Sequence, residues 1–244
     1  MPNRRRIWDI SPPVSAASPV FPGDTPYSQE WSATLSPGCP VNVSRITLSP
    51  HVGAHADAPL HYDANGASIG AVDLQPYLGP CRVIHAIGCR PLIEWRHIEH
   101  ASRDLPPRVL VRTYERMPLD RFDDALAAYA PATIERLAHL GVKLVGIDTA
   151  SIDPAPSKTL DSHQAIRRHG LRVLENLVLD DVPEGDYELI PAPETHDRGR
   201  IAGACRAART MTTLEDCRAL DAADPLRPLR DLYVIPPEIG RAHV

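Results

Sequence analysis

Short apolar and β-branched runs, separated by turn-forming stretches, set the rhythm of the first half of the chain. IWDIS at 7–11 and VNVSRITLS at 41–49 alternate in part between apolar and polar positions, which predicts strands. Between them PVFPGDTP reads as a turn-rich loop, with Phe21 as its one large aromatic. CRVIHAIG at 81–88, RVLVRT at 108–113 and VKLVGIDT at 142–149 are apolar enough to be buried strands. LIEWRHIEHA at 92–101 and TIERLAHLG at 133–141 have helical character, the second ending at Gly141 as a C-cap. DSHQAIRRH at 161–169 is predicted helical, and VLENLVLDDV at 173–182 is another strand-like segment. A helix feeding the strand VKLVGIDT predicts an α/β layer.

Composition narrows the picture. At 244 residues the chain has the length of one ordinary domain with a real core. A formal net charge of −5 argues against nucleic acid or an anionic membrane as the main partner. No apolar run approaches the roughly 20 residues of a membrane span. The opening MPNRRRIWDISPP is basic but lacks the apolar core of a signal peptide, so a cytoplasmic location is expected. Five cysteines (Cys39, Cys81, Cys89, Cys205 and Cys217) form no CxxC pair and are expected to be free thiols. Cys81 and Cys89 flank RVIHAIG and read as small core residues.

The chemistry is concentrated in HVGAHADAPLH at 51–61, where three histidines and an aspartate fall among small and apolar residues. Imidazole and carboxylate together suit Zn²⁺ or a similar transition metal. Taken singly, each histidine is more often structural. Taken as a set, three imidazoles and a carboxylate are costly to bury without a cation. His51 and His55 would share a helical face, but Pro50, Gly53 and Pro59 favour a strand running into a loop. His51, His55 and Asp57 would leave a metal position open to water, the catalytic pattern. His61 then serves either as a fourth ligand or as a titrating base beside the metal, and spacing does not choose between them.

HVGAHADAPLH resembles the HxGTHxDxPxH signature of the cyclase-like metal hydrolases, in particular their bacterial arylformamidase branch. The similarity extends through PVFPGDTP, PPRVLVRT, GVKLVGIDTASIDPAPSKTLDSH and LENLVLDDVPEGDYELI. It implies an α/β fold, a single swivelling β/β/α domain over 1–191, and a homodimer. It implies metal ligation by His51, His55, Asp57, His163 and Glu175, with two zinc ions per subunit bridged by Asp57 and Glu175. It also implies His61 as the catalytic acid/base and Phe21 in the substrate wall, where the family tends to place tryptophan. Ala54 stands where the family tends to have threonine. The implied activity is hydrolysis of N-formyl-L-kynurenine, a small-molecule substrate, to L-kynurenine and formate in tryptophan breakdown. Alternatives are a sister hydrolase that opens isatin or another cyclic amide, or a non-catalytic metal-binding module.

After GDYELI the resemblance stops. The family expects a strand of the type LKL and then an ASPVRAVL segment, whereas this chain reads PETHDRGRIAGACRAARTM at 193–211. Codons exist for that stretch from which dropping one base restores LKLTTADASPVRAVLREP. From Met211 the chain resembles the start of kynureninase, the next enzyme in the pathway, and EIGRAHV can be encoded by a common sequencing adapter. Residues 192–244 are therefore expected to be an out-of-frame and read-through tail, not part of the native fold.

Overall fold

The computed structural model of the chain describes residues 6–191 and the strand segments 195–196, 200–201 and 205–209. The strands are β1 (Arg6–Asp9), β2 (Ser28–Ala33), β3 (Val43–Thr47), β4 (His55–Ala56), β5 (Gly79–His85), β6 (Leu92–Ile93) and β7 (Arg108–Arg112). They continue with β8 (Ala128–Tyr129), β9 (Leu144–Ile147), β10 (Arg172–Glu175), β11 (Gly185–Pro191), β12 (Thr195–His196), β13 (Arg200–Ile201) and β14 (Cys205–Arg209). The α-helices are α1 (Pro59–Tyr62), α2 (Trp95–Ile98), α3 (Pro131–His139) and α4 (Asp161–His169).

The apolar runs form the centre of an eight-stranded sheet ordered β1-β14-β11-β5-β7-β9-β10-β4. β5, β7, β9 and β10 are mutually parallel, and antiparallel strands flank them on both sides. Alternation along these strands feeds two cores. Cys81, Val83, Leu110, Leu144 and Leu174 pack on one face with Trp8, Tyr77 and Tyr187. Ile84, Val109, Val111, Val145, Ile147 and Val173 face the other way, onto Ile134 and Leu137 of α3 and Ala165 and Ile166 of α4. Both faces are covered, which is why these strands read as continuous apolar runs instead of alternating ones. Cys81 and Cys89 are both buried, as expected. No helix among the described residues is long and apolar enough to cross a membrane.

Several elements depart from the sequence reading. Leu92 and Ile93 pair with Ala128 and Tyr129 as a short parallel ladder, so the helix expected over 92–101 begins only at Trp95. Its start is set by a reciprocal cap in which Glu94 and His97 satisfy each other's backbone amides. The strand expected over 173–182 ends at Glu175, because Asn176 takes φ 58 and turns the chain. HVGAHADAPLH is not a strand running into a loop: a bend at 52–54 leads into the two-residue β4, and Pro59 opens the helical turn that carries His61. β2 was not foreseen; it pairs with β3 as an exposed hairpin. Of the expected tail, only the strand segments named above are described, and the rest of 192–244, Cys217 included, lies outside the described residues.

Candidate metal centre

The carboxyl ends of the parallel strands are where an open α/β sheet leaves room for ligands. Glu175 is the last residue of β10, and antiparallel pairing sets it directly opposite His55 in β4. Gly53 makes that approach possible, since its φ of +77 is a left-handed conformation that favours glycine. His163 arrives from the first turn of α4, and His61 from α1. Residues more than a hundred positions apart thus converge because β4 is stitched to the far edge of the parallel strands.

Ligand atoms of His51, His55, Asp57 and Glu175 all lie within 4.8 Å of one another, as do those of Asp57, His61 and His163. Each carboxylate divides its oxygens between the two groups. Asp57 places Oδ1 3.2 Å from His51 Nδ1 and 3.4 Å from His55 Nε2, and Oδ2 3.1 Å from His163 Nε2. Glu175 places Oε2 3.3 Å from His55 Nε2 and Oε1 3.7 Å from His163 Nε2. His51 Nδ1 and His55 Nε2 are 3.0 Å apart, two imidazole nitrogens aimed at one point. His55, Asp57, His163 and Glu175 are only 2–3% exposed, whereas His51 is half-buried and His61 is exposed.

The surrounding hydrogen bonds fix which nitrogens face inward. His55 Nδ1 donates to the Gly53 carbonyl at 2.9 Å, and His163 Nδ1 donates to Asp153 Oδ2 at 2.6 Å. Both rings therefore turn Nε2 toward Asp57 and Glu175, the arrangement by which protein oxygens orient metal-binding imidazoles. Glu175 Oε1 accepts the Ile152 amide at 2.7 Å, and the Asn176 amide group donates to the His51 carbonyl at 3.2 Å.

The electrostatics follow from packing these groups together. Burial alone raises the Asp57 carboxyl, but hydrogen bonds from His163, His51 and His55 outweigh it and hold the group well below the usual carboxylate range. Burial alone lowers His55 and His163, yet the neighbouring carboxylates lift each to about 10. Desolvation holds His61 below the ordinary histidine value, partly offset by Asp57. Among the described residues, the ion pairs of Asp57 and Glu175 are all with histidines and none is with lysine or arginine. A buried carboxylate pair with nitrogen donors and no fixed cation is a donor set that suits a divalent metal.

A cavity of about 240 Å³ opens onto this cluster, with Phe21, Asp24, His51, His61, Lys158 and Glu175 in its wall. Phe21 meets Phe122 edge-on, with ring centroids 5.1 Å apart. The structure thus gathers His51, His55, Asp57, His61, His163 and Glu175 in one place and sets Phe21 in the wall of the cavity that His51, His61, His163 and Glu175 line. Sequence reasoning passed over Asp153, whose signal was a buried-looking acid in the apolar run GIDTASID. It also passed over Lys158, one of only two lysines in the chain.

Comparison with known proteins shows the family and the fold. The family described as "Putative cyclase" matches residues 8–154. A kynurenine formamidase of Delftia acidovorans (strain DSM 14801 / SPH-1) is 78% identical over 189 residues, which cover 78% of this chain and 90% of that protein. A kynurenine formamidase of Bordetella pertussis (strain Tohama I / ATCC BAA-589 / NCTC 13251) is 70% identical over the same shares of both chains. Among solved structures, a potential metal-dependent hydrolase with cyclase activity aligns with a TM-score of 0.73 at 24% identity, covering 85% of this chain and 99% of that one. An isatin hydrolase bound to thioisatinate aligns with a TM-score of 0.71 at 20% identity, covering 85% and 93%. Similarity at that identity shows the α/β fold they share.

Proposed function

The chain belongs to the putative cyclase family, and on that footing we propose that it is an arylformamidase that hydrolyses N-formyl-L-kynurenine to L-kynurenine and formate. The observation that carries this reading is 78% identity to a kynurenine formamidase in a chain whose six candidate residues cluster together, with His51, His61, His163 and Glu175 lining the cavity. Hydrolysis of formylkynurenine by the metal-loaded protein, with isatin as the comparison substrate, is the direct test. The isatin hydrolases share its fold at about 20% identity, too little to carry their substrate across.

Two divalent ions fit the donor set. His51, His55, Asp57 and Glu175 would hold one, and His163 with the same two carboxylates would hold the other. The split of each carboxylate's oxygens supports that count, and nitrogen-rich ligation favours zinc. When bound, such ions supply Lewis acidity and make water nucleophilic near neutral pH.

The protein's part is positioning and proton traffic. Phe21 packs on the aryl ring and sets the formamide against the centre. Water adds to the formyl carbon, the C–N bond breaks, and the aniline nitrogen needs a proton. His61, ring to ring with His51 at 4.4 Å and open to the cavity, takes the proton from water and returns it to that nitrogen. Its depressed pKa keeps the ring neutral and ready to accept.

We place the protein in the cytoplasm as a homodimer, and assign the dimer contact to the β2–β3 hairpin. Trp31 and Ile46 share one face of it by register and are 59% and 50% exposed, and Val43 and the nearby Leu35 are exposed as well.

We also propose that 192–244 departs from the native sequence. The match to the Delftia protein spans 189 of the 244 residues. β14 pairs on both sides, and its position 207 stands opposite Trp8 and Leu189, which are 8% and 0% exposed. In the shifted frame positions 205–209 read AVLRE instead of CRAAR, with leucine at that central register. Resequencing the locus decides between the two frames.

A further inference from the structure

Two charged side chains in the cavity wall have no part in the metal centre. Asp24 sits on the same turn as Phe21, its amide donating to the Phe21 carbonyl at 2.9 Å. Ser49 Oγ donates to Asp24 Oδ2 at 2.6 Å and accepts the His51 amide at 3.3 Å. Ser49 is itself 5% exposed, so one buried hydroxyl ties Asp24 to the backbone of a metal-centre histidine. Lys158 lies on a second segment, where the Ser157 amide donates to the Pro154 carbonyl at 2.8 Å and the Leu160 amide to Ser157 Oγ at 3.1 Å. That segment runs directly into α4 and His163. Lys158 makes no ion pair among the described residues. Beyond the metal-centre cluster, Asp24 and Lys158 are the charged residues lining the cavity, one negative and one positive.

We infer that Asp24 and Lys158 bind the ammonium and the carboxylate of an amino-acid end on the substrate. The cavity then selects aryl formamides that carry a zwitterion over the same formamides without one. The physical reason is desolvation: a zwitterion leaves water readily only where each charge meets a partner. A fixed aspartate and a lysine with no ion pair among the described residues supply that pair, and Phe21 beside Asp24 spaces it from the ring. The inference rests on the reaction proposed above and names what that reaction selects.

The test compares N-formyl-L-kynurenine with 2-formamidoacetophenone, which keeps the formamide, ring and ketone but lacks the amino-acid end. Zinc-loaded wild type, Lys158→Met and Asp24→Asn are assayed on both, with zinc per chain measured and L-kynurenine binding titrated separately. Each variant is expected to raise KM for formylkynurenine and weaken L-kynurenine binding by about 10-fold. Turnover of the acetophenone formamide stays within about twofold, and Lys158→Arg recovers part of the loss. Equal losses on both substrates, or no loss on either, overturn the inference and leave the proposed reaction standing. Wild type that turns over the acetophenone formamide but not formylkynurenine overturns the proposed reaction, and this inference with it.

Discussion

Asp153 Oδ2 accepts the Nδ1–H of His163 at 2.6 Å, and the same carboxylate accepts the backbone amides of Ser162 and His163 at 2.8 and 3.0 Å. One buried side chain therefore begins α4 and sets the ring tautomer of His163. The local helix start could not do this, since Leu160 precedes the first turn at φ 51 and offers no capping side chain. The charge on Asp153 is secure: burial raises its carboxyl, but the His163 ring and the two amides outweigh that and hold it low.

Asp153→Asn should weaken metal binding by about 10- to 100-fold, the usual cost of removing a carboxylate that orients a metal-bound imidazole. Competition with a chromophoric chelator reads this directly. Unchanged affinity would mean that α4 alone positions His163.

Proton linkage gives a second prediction. In protein stripped of metal, His55 and His163 titrate near 10 against an unfolded value of 6.5. A folded pKa above the unfolded one stabilises fully below 6.5 and loses that stabilisation as pH rises toward about 10. Stripped protein should melt at a lower temperature at the alkaline end of that window. Metal must displace the Nε2 protons, so its affinity rises with pH and binding releases protons. Calorimetry in two buffers of different ionisation enthalpy measures the release, and an enthalpy independent of buffer would contradict it.

His61→Ala separates the two roles that spacing left open. As the proton carrier, His61 should cost about 10²- to 10⁴-fold in kcat when removed, with zinc content unchanged. Loss of zinc in step with activity would make His61 a ligand instead.

Restoring LKLTTADASPVRAVLREP from position 193 should stabilise the domain. Leucine in place of alanine opposite Trp8 and Leu189 adds about 2 kcal/mol of apolar burial, or roughly 4–8 °C in Tm. Thermal melts of the two chains compare them, and equal or lower stability of the restored chain would count against the altered frame.

Much of this was legible in the sequence for local reasons. DSHQAIRRH forms a helix over Asp161–His169, the span read for it, because its apolar positions and the closing Gly170 act within a few residues. The buried strands announced themselves by lacking alternation. His51, His55 and Asp57 stood out because they are close in sequence. His163 and Glu175 gave no such signal and entered through family resemblance, since only the β4–β10 pairing makes them neighbours of the cluster. Asn176 concealed the end of β10 inside an apolar run, because a left-handed turn there depends on one residue. The roles of Asp153 and Lys158 are not legible for the same kind of reason: a cap that acts across ten positions and a charge in a cavity wall leave no periodic trace.

The central claim meets its most direct test in one assay. Metal-loaded protein is incubated with N-formyl-L-kynurenine and, separately, with isatin, and products are quantified before and after chelation. Kynurenine and formate should appear in equal amounts, stop on chelation and return with zinc, while isatin stays intact. Loaded protein that leaves formylkynurenine untouched, or opens isatin in preference to it, would contradict the account.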